Sequence, residues 1–234
     1  MNIKTNLANK GNYGSSRLTS NIKYLVIHYT ANDGDTDERN GVYFHDRVVQ
    51  ASAHYFVDDD SITQSVPDNY IAWHCGGGSQ GNGGKTHLGK CFNSNSIGIE
   101  ICDDVKNGVI YPSAKTIQNV LELTRHLMDK YNIPKENVIR HYDVTGKLCP
   151  AYWVDNAKWK KEFWNRLEED DMTKEDVIKI IQEYEAEKAK KSVDSWAKPS
   201  WDKAKKKGIM DGTMPKSAPT REQIAAILDR LGLL

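Results

Sequence analysis

Short runs of β-branched and aromatic residues alternate along this chain with stretches of helical periodicity, and that interleaving restricts the fold more than any other feature. Residues 22–29 (IKYLVIHY), 53–57 (AHYFV) and 96–102 (SIGIEIC) read as strands. Residues 62–66 alternate, and the turn at Asp58-Asp59-Asp60 would return them as a hairpin partner of 53–57. A helical pattern falls at residues 41–50. The longest one covers 113–131, with Ile117, Val120, Leu121, Thr124, Leu127, Met128 and Tyr131 on one face, Pro112 and Ser113 at its start, and Asn132 and Pro134 at its end. A brief strand at 138–140 leads into His141. This order predicts an α/β fold with a central mixed sheet flanked by helices.

The 96–102 run separates its two faces cleanly. Ile97, Ile99 and Ile101 point one way, and Gly98, Glu100 and Cys102 the other. Residues 75–95 form a long glycine-rich loop. Gly84-Lys85-Thr86 lacks the phosphate-loop spacing, since Ser79 stands where the first glycine belongs, and a substrate-binding rim is the expected use.

The 234 residues carry 32 Lys+Arg against 32 Asp+Glu, which argues against non-specific nucleic-acid binding. No apolar run approaches the ~20 residues that span a bilayer, so no membrane partner is expected. The N-terminal residues show no apolar signal-peptide core, so synthesis in the cytoplasm is expected, with any action outside the cell following release. Cys75, Cys91, Cys102 and Cys149 are too sparse for a disulfide framework, and no C-x-x-C occurs. Reduced thiols are expected, and a thiol near histidines is a candidate metal ligand.

His28 at the end of one strand, His141 after another and Cys149 eight residues later supply two imidazoles and a thiolate from separate elements. That is the donor set of a catalytic zinc with one open position. Glu100 is a candidate acid/base and Lys147 a candidate oxyanion stabiliser beside it.

The segments VIHYT, SAHYFV, IAWHCG, SIGIEI and RHYDVTGKLCP, in this order and spacing, resemble zinc N-acetylmuramoyl-L-alanine amidases, the family that includes phage lysozyme-type amidases and peptidoglycan recognition proteins. The resemblance spans roughly residues 20–165. It implies a mixed sheet with a zinc cleft, one Zn2+ per chain held by His28, His141 and Cys149, and Glu100 and Lys147 as catalytic residues. It further implies that His74 and Trp73 line the cleft against substrate, and that bacterial cell-wall peptidoglycan is the partner. A second-strand tyrosine assists catalysis in one branch; His54 and Tyr55 occupy that neighbourhood, and neither is assigned. The expected activity is hydrolysis of the amide between N-acetylmuramic acid and L-alanine by a phage or prophage endolysin. The alternatives are a non-catalytic peptidoglycan-binding protein, and a metal-free enzyme using Cys149 with His141. Pro150 directly after Cys149 offers no backbone N–H for an oxyanion hole, which weighs against the second.

Beyond an acidic bridge at 167–171, residues 173–234 hold 13 Lys+Arg against 10 Asp+Glu and read as a small all-α domain, separate from a catalytic domain at 1–168. Thr173 to Asp176 has the capping-box form, a second helix is expected at 195–207 stopped by Gly208, and Thr220 to Gln223 would cap a third. Residues 195–234 resemble an S-layer-homology unit, which implies wall binding. Trp196, Trp201, Ile224, Ile227 and Leu228 exceed what about 60 residues bury alone, so a homo-oligomer through these helices is also expected.

Overall fold

Ser113 caps the long helix by accepting from the Thr116 N–H, and Asn132 ends it in a left-handed conformation (φ 51°). Between them α2 (Ala114–Tyr131) buries Ile117, Val120, Leu121, Leu123 and Leu127 against Leu25, Ile27, Ile97, Ile99 and Ile101 of the sheet. Each such aliphatic side chain contributes about 1.5–3 kcal/mol on leaving water. The computed structural model describes residues 2–106, 108–168 and 174–234.

The first unit, residues 1–169, contains β1 (Ile3–Thr5), β2 (Tyr13–Ser16), β3 (Tyr24–Asp33), α1 (Asp37–Asp46), β4 (Tyr55–Val57), β5 (Ile62–Gln64), β6 (Tyr70–Ala72), β7 (Ser96–Lys106), β8 (Val109–Tyr111), α2, β9 (Val138–Arg140), α3 (His141–Thr145) and α4 (Asn156–Trp159). Seven strands form one mixed sheet in the order β1-β5-β4-β7-β3-β9, with β8 on β7. Strands β4, β7, β3 and β9 run parallel, while β4–β5 is the antiparallel hairpin that the sequence predicts. The strands β2 and β6 make a separate small ribbon.

The first helix departs from expectation. It runs Asp37–Asp46 rather than 41–50, because the Thr36 side chain accepts from the Arg39 N–H and two acids, Asp37 and Glu38, fill the first turn. Asp37 itself is buried, accepting from Thr63 Oγ1 at 2.7 Å and from Ser61 Oγ, while its N–H donates to Asp58 Oδ2.

After α4 the chain continues helically to Glu168 through wider and then tighter turns. Trp153 before α4, Trp159 at its end, and Phe163 and Leu167 beyond it are buried in the same core as α2. Sequence periodicity did not single them out.

The second unit, residues 170–234, contains α5 (Lys174–Lys190), α6 (Lys198–Lys206) and α7 (Arg221–Arg230). Thr220 and Gln223 form the expected capping box, and Gly208 takes the left-handed conformation that ends α6. The capping box expected at Thr173 lies outside the described residues, as does most of the bridge at 167–171. Val177, Ile181, Tyr184, Trp196 and Leu231 are exposed. No helix among the described residues is long and apolar enough to cross a membrane.

Candidate metal centre and active site

The sheet has two faces with different work. Leu25, Ile27, Tyr55, Val57, Ile97, Ile99 and Ile101 point to α2. Strand alternation therefore turns His28, His54 and Glu100 to the other side. His28 pairs with Glu100 across β3–β7, and Ile27 pairs with Arg140 across β3–β9, so His141, the next residue, arrives beside His28. Both lie toward the carboxyl ends of parallel strands, where open α/β sheets bind ligands.

Arg140 fixes the turn that delivers His141. Its guanidinium donates to both Asp143 carboxylate oxygens at 2.7–2.8 Å and to the Trp153 carbonyl at 2.6 Å, and its N–H donates to Asp143 Oδ2. The Tyr142 N–H donates to the Cys149 carbonyl at 2.9 Å, folding the 147–149 loop back on α3.

His28, His141 and Cys149 are all buried, and one ligand atom from each lies within 4.8 Å of the others. The His28 and His141 rings stand 4.6 Å apart, centroid to centroid, and Cys149 Sγ is 3.8 Å from His28 Nδ1. Both ring nitrogens of His141 are buried with no hydrogen-bond partner, which is costly unless a cation takes up the lone pair. Burial holds the His28 imidazole far below its ordinary pKa and lowers His141 to about 4, with the Lys147 charge adding to the latter. Both are neutral donors at physiological pH. Burial pushes the Cys149 thiol up, so the protein matrix alone does not activate it as a nucleophile. Two neutral imidazoles, one orphaned on both nitrogens, and a thiol that needs a compensating cation fit zinc.

Glu100 Oε1 lies 3.9 Å from His28 Nδ1, and Oε2 has no partner. Burial raises its pKa to about 8 against the opposing pull of the Lys147 charge. Lys147 is exposed and, with Glu100, Tyr29, Arg39 and Tyr43, lines a cavity of about 520 Å3. Arg39 and Tyr43 lie on α1 four residues apart, on one helix face; Arg39 precedes the helix start expected at residue 41, and Tyr43 carries no sequence signal that marks it as cleft-lining.

Trp73 lines a second cavity, of about 340 Å3, with Phe92, Leu88 and Thr145. His74 stands beside the His28–His141–Cys149 cluster, with Nδ1 3.0 Å from His28 Nε2 and Nε2 3.1 Å from Ser96 Oγ. Tyr55 faces α2, and its hydroxyl donates to Asp68 at 2.8 Å, on the opposite side of the sheet from the cluster. His54 is on the cluster side but buried, with Nδ1 accepting from the Gly98 N–H.

The glycine-rich loop is bound to the ligand-bearing turn through its backbone. The N–H groups of Gln80, Lys85 and His87 donate to the carbonyls of Thr145, Tyr142 and Asp143 at 2.7–3.1 Å. Gly84 (φ +64°) leaves no room for a Cβ, which would stand 2.1 Å from the Tyr142 carbonyl oxygen.

The chain is similar to the amidase CwlL of Bacillus licheniformis (33% identical over 152 residues, 63% of this chain and 41% of CwlL). It is also similar to the amidase BlyA of Bacillus subtilis strain 168 (35% over 153 residues, 62% and 41%). It thus spans about two fifths of the length of these curated relatives. Among solved structures it resembles the catalytic domain of XlyA (TM-score 0.57, 28% identical, covering 71% of this chain and 99% of that one). The PlyG catalytic domain is similar too (TM-score 0.58, 29%, 74% and 98%). The model of the N-acetylmuramoyl-L-alanine amidase family matches residues 18–152, which takes in β3, β7, His28, Glu100, His141 and Cys149. With more than half of its length matched, the chain belongs to the N-acetylmuramoyl-L-alanine amidase family.

Proposed function

We propose that this chain is a zinc-dependent peptidoglycan hydrolase of the endolysin type, cleaving the amide bond between N-acetylmuramic acid and L-alanine. The observation that carries the reading is the convergence of His28, His141 and Cys149 next to Glu100, with both His141 nitrogens unpartnered. His28, His141 and Cys149 would hold one zinc. When bound there it supplies Lewis acidity and brings the pKa of a water towards ~7.

The protein's own groups perform the rest. Glu100 Oε2, free of hydrogen bonds, accepts the proton of the water that attacks the amide carbonyl and returns it to the leaving L-alanine amine. Burial, which raises the Glu100 pKa to about 8, favours the protonated form that returns the proton, and the opposing Lys147 charge favours the ionised form that accepts it. Lys147, exposed on the cavity wall, places its ammonium where negative charge develops on the carbonyl oxygen. The cleft around Glu100 and Lys147 takes one part of the muramyl peptide, and Trp73 lines the neighbouring cavity for another.

Residues 170–234 would be a wall-targeting and assembly module. Its S-layer-like stretch, with Trp196 and Leu231 exposed, supports both roles, and two or three copies together would give avidity on the wall. The same reading gives the chain a phage or prophage origin and places its action at the cell wall after release.

Metal analysis of the purified protein, together with release of free amino groups from purified peptidoglycan without release of reducing sugar, tests the central reading. One zinc per chain and chelator-sensitive release are expected. No zinc with chelator-insensitive lysis would overturn it. Light scattering of the full chain tests the module: a monomer at micromolar concentration would exclude assembly.

A further inference from the structure

His28 has two ring nitrogens, and only a bare Nδ1 can face Cys149 and His141 as a donor. Neutral imidazole carries its proton on either nitrogen, so something must select the tautomer. Adjacent to the cluster, four groups from three segments are arranged in a line. His28 Nε2 is 3.0 Å from His74 Nδ1, His74 Nε2 is 3.1 Å from Ser96 Oγ, and Ser96 Oγ is 2.6 Å from the Phe92 carbonyl oxygen.

The line has one direction. A carbonyl only accepts, so the Ser96 hydroxyl spends its single proton on Phe92 and presents lone pairs to His74. His74 Nε2 therefore carries a proton and donates to Ser96. In neutral His74 this leaves Nδ1 with a lone pair, which accepts from His28 Nε2–H. His28 Nδ1 is left bare, 3.8 Å from Cys149 Sγ.

We infer that His74 is a positioning residue: with Ser96 and the Phe92 carbonyl it fixes the tautomer and ring angle of His28, so that Nδ1 faces the metal position. The inference rests on the zinc reading above for its consequence, though the tautomer itself is a property of the metal-free chain.

Two further features make room for this relay and hold it. A Cβ on Gly98 would stand 2.5 Å from His74 Cγ and 2.7 Å from its Nδ1, so the imidazole lies directly on the β7 backbone where only glycine fits. Asn93 Oδ1 accepts from the N–H groups of His74 (3.1 Å) and Cys75 (2.8 Å), which pins the main chain that carries the ring. Cys75 Sγ, 3.6 Å from Ser96 Oγ and 3.4 Å from Asn93 Oδ1, fills the remaining space. His54 stands edge-on to His74 at 5.8 Å and accepts from the Gly98 N–H, which completes the wall. Both nitrogens of His74 are used within the protein, so neither is left to bind substrate.

The test uses the full chain, 15N-labelled and stripped of metal, with Zn2+ alone as the probe. Long-range 1H–15N correlation spectra read the tautomer of His28, and competition with a chromogenic chelator reads zinc affinity. In the unmodified protein His28 is expected to carry its proton on Nε2. The variant His74→Phe, which keeps a ring but no nitrogen, is expected to mix the two His28 tautomers and to lose about 10–100-fold in zinc affinity, the usual cost of removing an outer-shell partner. His74→Asn, whose Oδ1 falls where Nδ1 stood, is expected to recover most of that loss.

A His28 proton on Nδ1 in the unmodified protein, as a doubly protonated His74 would impose, overturns the inference. So does unchanged zinc affinity in His74→Phe. If His74→Phe does not fold, Ser96→Ala carries the test, since it removes the hydroxyl that accepts from His74 and donates to the Phe92 carbonyl while leaving both imidazoles in place; an unchanged His28 tautomer there is equally fatal. Failure of the unmodified protein to bind zinc, with the Nε2–H tautomer present and lost on substitution, would refute the zinc reading and leave the relay standing.

Discussion

His28 and Glu100 occupy paired positions across the parallel β3–β7 register, with the imidazole Nδ1 3.9 Å from the carboxylate Oε1. A slip of one residue in β7 would move Glu100 to the α2 face and bring Ile99 or Ile101 to the cleft. The register is secured by Ile97, Ile99 and Ile101, all fully buried against α2. Core packing and the geometry of the candidate site are thus set by one alternation.

Glu100→Gln keeps the size and position of the side chain and removes its capacity to take a proton. Turnover on peptidoglycan is expected to fall about 10²–10⁴-fold, with zinc content and melting temperature close to those of the unmodified protein. Free amino groups appearing at the normal rate would mean that another group is the base.

Cys149→Ser replaces a soft thiolate by a hard hydroxyl that does not ionise in this range. Zinc affinity is expected to drop by more than the ~10–100-fold typical of an outer-shell change, read by the same chelator competition. Retention of stoichiometric zinc after dialysis would remove Cys149 from the ligand set.

Asp37 gives a pH dependence away from the cleft. Burial pushes its carboxyl up to about 6, with Asp58 adding to the rise while the hydroxyls of Thr63 and Ser61 oppose it. A raised carboxyl pKa means that the folded state holds the proton more tightly than the unfolded chain. Its stabilising effect is therefore complete below the ordinary carboxylate range and is lost as pH rises through about 6. Asp37→Asn is expected to gain in urea midpoint relative to the unmodified protein as pH goes from 4 to 7. A gap between the two that stays constant over this range would show that Asp37 does not titrate there.

Phe163 lies eleven residues beyond the end of the family match, yet it is fully buried against Trp153 and Trp159, with ring centroids 5.1 and 5.0 Å away. Phe163→Ala is expected to cost about 3–5 kcal/mol, measured by denaturant unfolding of the first unit. A loss below 1 kcal/mol would show that the 153–167 segment is an accessory to the core.

Much of this architecture is legible in the residues, and the exceptions have physical causes. The strands β3 and β7 and the helix α2 declare themselves because one of their faces is apolar throughout and the chain period matches the structure. Helix α1 starts earlier than its apolar pattern indicates because its first turn, Asp37 to Asn40, is polar in sequence but partly buried in space, held by Thr63 of β5 and by Ser61 just before it. The strands β1, β2 and β6 bury at most one residue each, so no apolar run marks them in the sequence. At the site, His28, His141, Cys149 and Glu100 stand out by residue type and order. The roles of Ser96 and Gly98 do not, since serine and glycine in a strand are unremarkable until His74 folds onto them from 22 and 24 residues away. Side chains with rare chemistry announce a site, and those that support it depend on three-dimensional neighbours.

The separation of His28 and Cys149, 121 positions apart in the chain yet 3.8 Å apart in space, has a kinetic meaning. Contacts so distant in sequence form late, because the entropy of closing a long loop must be overcome before they give any return. Helix α2 and the β4–β5 hairpin are local and can precede them. An unfolded chain offers scattered single donors and no chelate. Zinc capture during refolding, followed with a metal-sensitive dye, would therefore time the docking of β9 and the 147–149 loop onto β3, and would lag behind the helical signal of α2.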